Sequence, residues 1–424
     1  MAQKSLVERD RERIWHPYTQ MQNAVDPIPI VRGEGVYLIA EDGKKYIDAI
    51  SSWWVNIHGH SHPYIAQKVA EQLGRLEHVI FAGFTHPGAI ELAERLINIL
   101  PSGQSKVFYS DNGSTAVEVA LKMCFQYRSN LGNPRTKVLA FNNSYHGDTF
   151  GAMAVSSRSA FTRPFEKLLF DVEFIDVPDA ENIEQIKAHI SESAYDLAAF
   201  IFEPLVQGAG GMQMYEARFL DELIRHCRQN GILTIADEVM TGFGRTGKLF
   251  ASDHLSEQPD LMCFSKGLTG GTMALGLTSC TSDIYNAFLS EDKLKTLFHG
   301  HSFTANPVAC SAALASLDLL LDKETIGNID RITQSHHEFL HKIKNNPKLK
   351  CIRQTGTILA LEWESTSETS YFNTLRDKLY NFFLDQGIIL RPLGNIIYVL
   401  PPYCINKEQL DYVYLKIEEA LEQF

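Results

Sequence analysis

The sequence predicts an α/β protein in which helices cover both faces of a mostly parallel sheet, followed by a smaller α+β domain. From about residue 64 onward, amphipathic helical patterns alternate with short apolar strands, which is typical of parallel βαβ units with right-handed crossovers. The helical patterns span 88–100, 114–129, 181–190 and 216–230, and the strands read "SKVFYS", "KVLAF", "LAAFIFEP", "GILTIADE" and "LMCFSKG".

The pattern changes after about residue 315, where a smaller unit begins. A long amphipathic helix, the strand "CIRQTGTILALEW", a second helix and the strand "NIIYVLPPY" follow. Near the start of the chain, residues 35–50 predict a hairpin that turns at Asp42-Gly43. We therefore expect an N-terminal segment (1–55) that contributes to the small domain and the active site, a large domain (56–315) and a C-terminal small domain (316–424).

Composition restricts the class of protein. The 424 residues carry a formal net charge of −12 and contain no run of Lys or Arg, which argues against nucleic-acid binding. The N-terminus lacks the apolar segment of a secretory signal, and no stretch approaches the roughly 18 apolar residues of a membrane span. The seven scattered cysteines suit free thiols in a reducing compartment. We expect a cytoplasmic protein that binds neither nucleic acid nor membrane.

A glycine-rich loop, "GFGRTGK" at 242–248, follows an apolar strand that ends in Asp237 and Glu238. It matches the dinucleotide motif G-x-G-x-x-G and nearly matches the phosphate loop G-x-x-x-x-G-K-[ST]. However, no substantial helical pattern begins at the loop, and Leu249 replaces the hydroxyl residue that would bind Mg²⁺. A nucleotide-dependent dehydrogenase or ATPase is therefore the weaker hypothesis.

Other residues at the strand ends suggest different chemistry. Lys266 follows one apolar strand and Asp237 ends another, while Gly113 and Ser114 begin a strongly periodic helix. A partly desolvated lysine is a nucleophile, and a helix start favours an anion. Pyridoxal phosphate (PLP) requires such a lysine, an acid for its ring nitrogen and a phosphate site. Singly, these residues could be an exposed lysine, a solvated acid and a helix N-cap; their order on consecutive sheet elements favours PLP.

The chain resembles the class-III pyridoxal-phosphate aminotransferases along nearly its whole length. The shared motifs are "SDNGSTAVEVALKM", "SYHGDTFGAM", "FIFEPLVQGAGGM", "ILTIADEVMTGFGRTGKLFA", "PDLMCFSKGLTGG" and "HSFTANPVACSAA". The resemblance implies fold type I of the PLP-dependent transferases and a homodimer with shared active sites. It also implies that the glycine-rich loop lies beside the active site and binds no nucleotide.

By the same resemblance, three catalytic roles are expected. Lys266 would bind the cofactor covalently and then act as the acid and base, and Asp237 would pair with the ring nitrogen. Tyr145 would stack on one face of the ring and touch the substrate, and Val239 would pack on the other face. Without the resemblance, Tyr145 could be an ordinary buried aromatic residue of a turn.

The phosphate site is expected to be shared between subunits. Gly113 and Ser114 of one subunit would bind the phosphate, and His301 and Ser302 of the other would complete the site. Many members of the family carry threonine where this chain has Ser302, which keeps the hydroxyl. Gly300 would line the substrate site, also from across the interface.

The substrate pocket is expected to involve Tyr18, Trp53 and Arg391. The arginine would bind a substrate carboxylate by a bidentate contact, although alone it could be a surface residue. Leu393 stands where phenylalanine is expected, so the pocket shape there differs. Trp54 is expected to have a packing role.

Three short stretches resemble one branch of the family more closely. They are "IWHPYTQM", "ISSWWVNIHGH" and "RPLGNIIYVLPPY". This branch aminates 8-amino-7-oxononanoate in biotin biosynthesis, with S-adenosylmethionine as amino donor. Tyr18 and Trp53 favour S-adenosylmethionine over lysine as donor. The alternatives are the same reaction with lysine, another class-III ω-aminotransferase, and a non-catalytic binding protein.

Two histidine clusters are weak candidates for a metal site. His58, His60 and His62 alternate in "HGHSHP", and His299 and His301 form a second pair. Gly59 and Pro63 indicate a loop that enters a helix, and no acidic or cysteine partner lies nearby in the sequence. We expect no metal.

Overall fold

The structure is a computed structural model that describes residues 4–365 and 375–424. Residues 1–3 of the predicted N-terminal segment and residues 366–374 of the predicted C-terminal domain lie outside the described residues. The helices are α1 (Leu6–Arg13), α2 (Ser51–Trp54), α3 (Pro63–Leu73), α4 (Pro87–Ile99), α5 (Gly113–Asn130), α6 (Phe150–Ala154), α7 (Ile183–Ser193), α8 (Ala217–Gln229), α9 (Ser282–Asn286), α10 (Pro307–Leu320), α11 (Lys323–Ile343), α12 (Leu375–Asp385) and α13 (Lys407–Gln423). The strands are β1 (Ile30–Glu34), β2 (Tyr37–Ala40), β3 (Lys45–Asp48), β4 (Gln104–Ser110), β5 (Lys137–Phe141), β6 (Val172–Ile175), β7 (Leu197–Phe202), β8 (Val206–Gln207), β9 (Gln213–Met214), β10 (Leu233–Asp237), β11 (Leu261–Phe264), β12 (Gly276–Thr281), β13 (Leu349–Thr355), β14 (Ile358–Trp363), β15 (Ile388–Ile389) and β16 (Ile396–Val399).

The centre of the protein is a seven-stranded sheet in the order β4-β12-β11-β10-β7-β5-β6. Strands β6, β5, β7, β10 and β11 are parallel neighbours, as expected, and β12 is antiparallel to both β11 and β4. The sequence did not indicate β12, because "GLTSCT" lacks an apolar run. Its buried hydroxyls are satisfied internally: Thr278 Oγ1 donates to Ala116 O at 2.7 Å and Ser279 Oγ to Gln104 Oε1 at 2.7 Å.

Helices cover both faces of this sheet, which confirms the predicted class. Successive strand residues point to opposite faces, and their contacts show it. Val138, Ala199 and Ile235 pack with the apolar side of α5, whereas their neighbours Leu139 and Phe200 pack in the cluster that contains α7 and α8. Both faces are therefore buried, which explains why the strands read as continuous apolar runs.

The C-terminal part forms the predicted α+β unit. Strands β13, β14 and β16 make an antiparallel sheet, with α11, α12 and α13 as the helices of this region. The predicted hairpin is confirmed as β2 and β3, with Tyr37 opposite Ile47. Strand β15 adds to β3 in parallel, so the N-terminal and C-terminal parts share a sheet. The boundary expected at residue 315 falls inside α10, and the division into domains stays a prediction.

Among the helices of residues 4–365 and 375–424, none combines the length and apolar character needed to cross a bilayer.

The turn between β13 and β14 packs against the glycine-rich loop, and Gly356 makes this contact possible. Gly356 has φ +55°, and a Cβ there would overlap the backbone at Thr246 and Gly247. Gly35 has nearly the same φ, +56°, with nothing within 4 Å of its Cβ position. The two glycines therefore have the same backbone conformation, but only Gly356 lacks space for a Cβ.

We predict that Gly356→Ala lowers the free energy of unfolding more than Gly35→Ala does. The left-handed torsion costs about 1–2 kcal/mol at either position, and overlap at Gly356 adds about 1–3 kcal/mol. Thermal unfolding of both variants checks this. Equal losses for the two substitutions would contradict the inferred backbone contact.

Candidate active site

A cavity of about 450 Å³ opens at the carboxyl ends of the parallel strands. The segments that follow β4, β5, β7, β10 and β11 form much of its wall, which is where ligands bind in sheets of this kind. The volume is within the usual range for a small-molecule site. Six residues predicted for the site line it: Gly113, Ser114, Tyr145, Asp237, Val239 and Lys266.

Lys266 lies in the cavity wall immediately after β11. Its φ of +45° is strained for a residue with a side chain, and such strain is concentrated at functional sites. Burial lowers the pKa of its amino group to about 8, although Asp237 and Glu203 act in the opposite direction. Its Nζ lies 4.8 Å from the ring centroid of Trp54. The lysine can therefore become a neutral nucleophile near neutral pH.

Asp237 ends β10 and is held by two contacts. His146 Nδ1–H donates to its Oδ2 at 2.7 Å, and the backbone N–H of Val239 donates to its Oδ1 at 3.1 Å. Both side chains of the His146–Asp237 pair are buried. Among the described residues, the His146 Nε2 has no hydrogen-bond partner. The pair fixes the orientation of a carboxylate that faces the cavity.

Glu203 is a second buried carboxylate in the cavity wall. It accepts the backbone N–H of Tyr145 at 3.0 Å and that of Gly208 at 2.9 Å. Burial raises its pKa to about 7, with the nearby His146 acting against this. Glu203 therefore ties the Tyr145 backbone to the segment that follows β7.

The start of α5 forms the part of the cavity wall that is suited to an anion. Asn112, and not Ser114, is the N-cap: its side chain accepts the backbone N–H of Thr115 at 2.9 Å. The first N–H groups of a helix have no carbonyl partner within it and carry partial positive charge. Gly113 is required by close packing, because a Cβ there would lie 2.7 Å from Val239 Cγ1. Gly113 and Ser114 thus present backbone donors to the cavity.

Tyr18, Tyr145 and Asp148 meet at the rim of the cavity. Tyr18 Oη lies 3.3 Å from Tyr145 Oη, and both hydroxyls donate to the Asp148 carboxylate. Burial raises the pKa of Tyr145, and the contact with Tyr18 adds to this. The rim continues with Trp53, which makes an edge contact with Tyr18 at 5.7 Å, and with Arg391, whose guanidinium lies 4.6 Å from the Trp53 ring. The three predicted substrate residues therefore adjoin one another.

The structure does not bring Gly300, His301 and Ser302 into the cavity of the same chain. They lie in a surface segment between Phe298 and Phe303, each 62% exposed. Lys122 Nζ lies 3.3 Å from His299 Nδ1 in this segment. The expected phosphate and substrate contacts of these three residues stay predictions.

Residues 242–246 of the glycine-rich loop are packed inside the protein, and only Gly247 and Lys248 at its end are exposed. Arg245 is buried and donates to Pro401 O at 2.9 Å and to Trp54 O at 3.4 Å. The Glu238 carboxylate accepts the backbone N–H groups of Ala251 and Ser252 at 3.0 and 2.7 Å. No long helix begins at the loop; a short 3₁₀ turn, Ala251–His254, follows it. The loop connects the C-terminal part of the chain to the cavity wall. The Glu238 carboxylate fixes the backbone that follows the loop.

Two histidines of the first cluster have other partners. His60 Nε2 lies 2.8 Å from Asp48 Oδ2, and His58 Nε2 lies 3.0 Å from Ser316 Oγ. Within residues 4–365 and 375–424, no group of three or more His, Cys, Asp or Glu side chains is arranged to hold a metal ion.

No site role was predicted for His146, Asp148 or Glu203, and Trp54 was predicted only to pack. His146 and Asp148 both follow the predicted Tyr145 in "SYHGD", so this motif after a strand was the signal that could have indicated them. Trp54 was expected to pack, and it does so against the cavity, where it lines the wall beside Lys266. The contacts in the folded chain separate the two tryptophans: Trp54 lies beside Lys266, and Trp53 lies beside Arg391.

Comparison with known proteins shows the family and the fold. The family model described as aminotransferase class-III matches residues 19–421. A solved structure of adenosylmethionine-8-amino-7-oxononanoate aminotransferase from Methanocaldococcus jannaschii is similar, with a TM-score of 0.95 at 37% identity over 99% of this chain and 98% of that one. An ω-transaminase from Pseudomonas jessenii in complex with PMP has a TM-score of 0.93 at 28% identity over 99% of this chain and 98% of that one.

Relatives in sequence carry the same name as the first structure. A Synechococcus elongatus protein named adenosylmethionine-8-amino-7-oxononanoate aminotransferase is 48% identical over 420 residues, 97% of this chain and 98% of the relative. A Geobacter sulfurreducens protein of the same name is 38% identical over 441 residues, 99% of this chain and 97% of the relative. The chain belongs to the aminotransferase class-III family.

Proposed function

We propose that the protein transfers an amino group from S-adenosylmethionine to 8-amino-7-oxononanoate, forming 7,8-diaminononanoate in biotin biosynthesis, with PLP as its cofactor. The observation that carries the proposal is that Lys266, partly buried, lines the same cavity as Asp237 and the start of α5. The name shared by the relatives from S. elongatus, G. sulfurreducens and M. jannaschii supports this choice of substrate.

The residues of the cavity fit PLP, the cofactor on which class-III aminotransferases depend. Lys266 offers an amino group for the aldehyde, Asp237 a carboxylate for the ring nitrogen, and the α5 start donors for the phosphate. At Gly147, with φ +132°, a Cβ would overlap the Ser114 hydroxyl. Glycine at this position therefore leaves the Ser114 side chain its place at the phosphate end of the site.

Each residue of the cavity then has a task in the reaction. When bound, the cofactor accepts the amino group of the donor and passes it to the ketone of the acceptor. Lys266 Nζ removes the proton from the carbon that bears the amino group and returns a proton in the second half-reaction. Its pKa of about 8 makes both transfers accessible near neutral pH. Asp237, oriented by His146, would hold the ring nitrogen protonated, and Tyr145 and Val239, which line the same cavity, would enclose the ring.

The rim residues bind the substrates. Tyr18 and Trp53 offer an aromatic wall, and Arg391 beside them offers a guanidinium for a carboxylate. Asp148 orients the hydroxyls of Tyr18 and Tyr145. Leu393 lies close to this rim in the chain and forms an isolated bridge with Ile396. The donor and the acceptor would use the same rim in turn.

Two alternatives use the same cofactor. The donor could be lysine instead of S-adenosylmethionine, or the protein could act on another ω-amine, as the name of the similar P. jessenii enzyme suggests for that protein. The retention of Tyr18 and Trp53 favours S-adenosylmethionine. We infer a cytoplasmic enzyme that acts on these small molecules and binds no nucleic acid.

We also propose a homodimer whose subunits share active sites. Residues 4–35 contain no buried residue, and Trp15 in this segment is 86% exposed. Phe298 and Phe303, on either side of His301 and Ser302, are exposed as well. Exposed apolar side chains of this size are typical of interaction surfaces. A second copy would cover them and could bring Gly300, His301 and Ser302 to the neighbouring cavity.

We predict that purified, PLP-loaded protein forms 7,8-diaminononanoate from 8-amino-7-oxononanoate when S-adenosylmethionine is the donor, and not when lysine is. The product is quantified by mass spectrometry, with 4-aminobutyrate as a third donor. Product from lysine alone would select the first alternative. Turnover of ω-amines without any diaminononanoate would contradict the biotin-pathway reaction but leave the aminotransferase proposal standing.

The lowered pKa of Lys266 predicts how fast PLP attaches to cofactor-free protein. Only the neutral amine reacts, so below its pKa the rate should rise about tenfold per pH unit. The rate should then level off above the pKa of about 8. Stopped-flow absorbance measures the attachment. A free lysine derivative, whose rate rises up to pH ~10.4, is the control; the same profile in the protein would contradict desolvation of Lys266.

Subunit complementation tests the shared site. Lys266→Ala and Ser302→Asp should each abolish activity, the second because a carboxylate repels the phosphate. If the sites are shared, a purified heterodimer of these two variants keeps one intact site and about half of the wild-type activity. A heterodimer of Lys266→Ala and Asp237→Ala is the matched control, because both changes affect the same half of the site and no activity should return. No recovery in the first heterodimer would contradict sharing.

A further inference from the structure

We propose that the buried pair of Asp48 and His60 is a positioning latch for the tryptophan turn, which we define as residues 51–54. The latch holds Trp54 against Lys266 and Trp53 at the rim of the cavity. Asp48 and His60 do not line the cavity, so their role is to position other residues. The catalytic consequence of the latch rests on the proposed function; the structural role does not.

The tryptophan turn has a backbone that these residues do not adopt on their own. Ser51, Ser52 and Trp54 have φ values of +52°, +61° and +67°. A residue with a Cβ is disfavoured there by contact with the carbonyl oxygen. Three such residues among four form a conformation that persists only where surrounding contacts impose it. The contacts that impose it are therefore part of how the cavity wall is made.

Asp48 supplies several of these contacts from a fully buried position. Its Oδ2 accepts Ser52 Oγ–H at 3.0 Å, and its Oδ1 accepts the backbone N–H of Ile50 at 3.3 Å. His60 Nε2–H donates to the same Oδ2 at 2.8 Å. The Asn56 amide donates to His60 Nδ1 at 3.3 Å, which leaves the ring proton on Nε2. The pair thus closes the segment 48–60 around the turn.

The closed segment lies directly against the loop of Lys266. A Cβ at Gly271 would lie 2.8 Å from the Asn56 backbone, so the two chains pack without a side chain between them. His58 Nε2–H donates to Ser316 Oγ at 3.0 Å, and Ser316 Oγ–H donates to Gly267 O at 3.2 Å. A shift of the segment therefore moves the surroundings of Lys266 as well as Trp54.

The other end of the turn reaches the substrate rim. Trp53 contacts both Tyr18 and the Arg391 guanidinium. If the turn relaxes, the aromatic wall and the arginine lose their common support. Loss of the latch should therefore weaken the binding of both substrates, since the same rim would serve each of them.

The first test observes the turn itself in cofactor-free protein. The experiment uses a Trp15→Phe background, which removes the most exposed tryptophan. In this background Asp48→Ala should increase the quenching of tryptophan fluorescence by acrylamide. The reason is that Trp54, which is 5% exposed in the wild-type protein, becomes accessible to solvent. Asp221→Ala is the matched control. Asp221 is also a buried carboxylate that accepts backbone N–H groups, from Ser256 at 2.9 Å and Glu257 at 2.8 Å, but it does not line the cavity.

The second test measures the consequence in the PLP-loaded enzyme. We expect Asp48→Ala to lower kcat/KM by roughly 10- to 100-fold, mainly through KM for both substrates. His60→Gln keeps an N–H donor for Asp48 and should retain most of the wild-type kcat/KM, whereas His60→Phe should lower it as Asp48→Ala does. If Asp48→Ala fails to fold, Asp48→Asn and His60→Phe provide the same comparison.

The outcomes separate the proposals. Equal quenching and equal kinetics in Asp48→Ala and Asp221→Ala would overturn the latch and leave a general stabilising role. Increased quenching without a kinetic change would overturn its catalytic consequence. If the wild-type enzyme does not make diaminononanoate, the quenching result still decides whether the pair holds the turn.

Discussion

The rest of the site depends on one constraint: a lysine must stay partly desolvated beside two buried carboxylates. Burial lowers the pKa of Lys266, while Asp237 and Glu203 favour its charged form. The resulting pKa of about 8 keeps the amine both reactive and able to exchange protons. This balance requires that each carboxylate be held by its own donors, which are His146 for Asp237 and backbone N–H groups for Glu203.

The sheet explains why these groups meet. Parallel strands end at the same edge, so residues far apart in sequence converge there. This rule was enough to predict the fold class and to place Gly113, Asp237 and Lys266 together from the sequence. It did not predict β12, whose buried hydroxyls donate hydrogen bonds to Ala116 and Gln104. These partners are distant in sequence, so only the folded chain shows that the polar side chains of this strand can be buried. The boundary predicted at residue 315 falls inside α10, because a change of pattern along the chain need not coincide with the end of an element.

Other features of the site depend on contacts that no local pattern encodes. The glycine-rich loop has the spacing of a nucleotide motif, and only the burial of Arg245 between Pro401 and Trp54 shows its packing role. The hydrogen bond between Asp48 and His60 closes a segment in which Ser51, Ser52 and Trp54 have positive φ values. These residue types do not predict such torsions. The role of Gly300 would require a second chain. The sequence therefore predicts which groups are available, and the folded chain decides which of them touch.

The most direct measurement of the central claim is covalent trapping. Borohydride reduction of the PLP-loaded protein fixes the cofactor on the amino group that holds it, and peptide mass mapping then identifies the residue. We predict modification of Lys266 alone, with Lys266→Ala left unmodified under the same conditions. Modification at Lys248 of the glycine-rich loop, or at no lysine, would contradict the assignment of the cavity as the cofactor site.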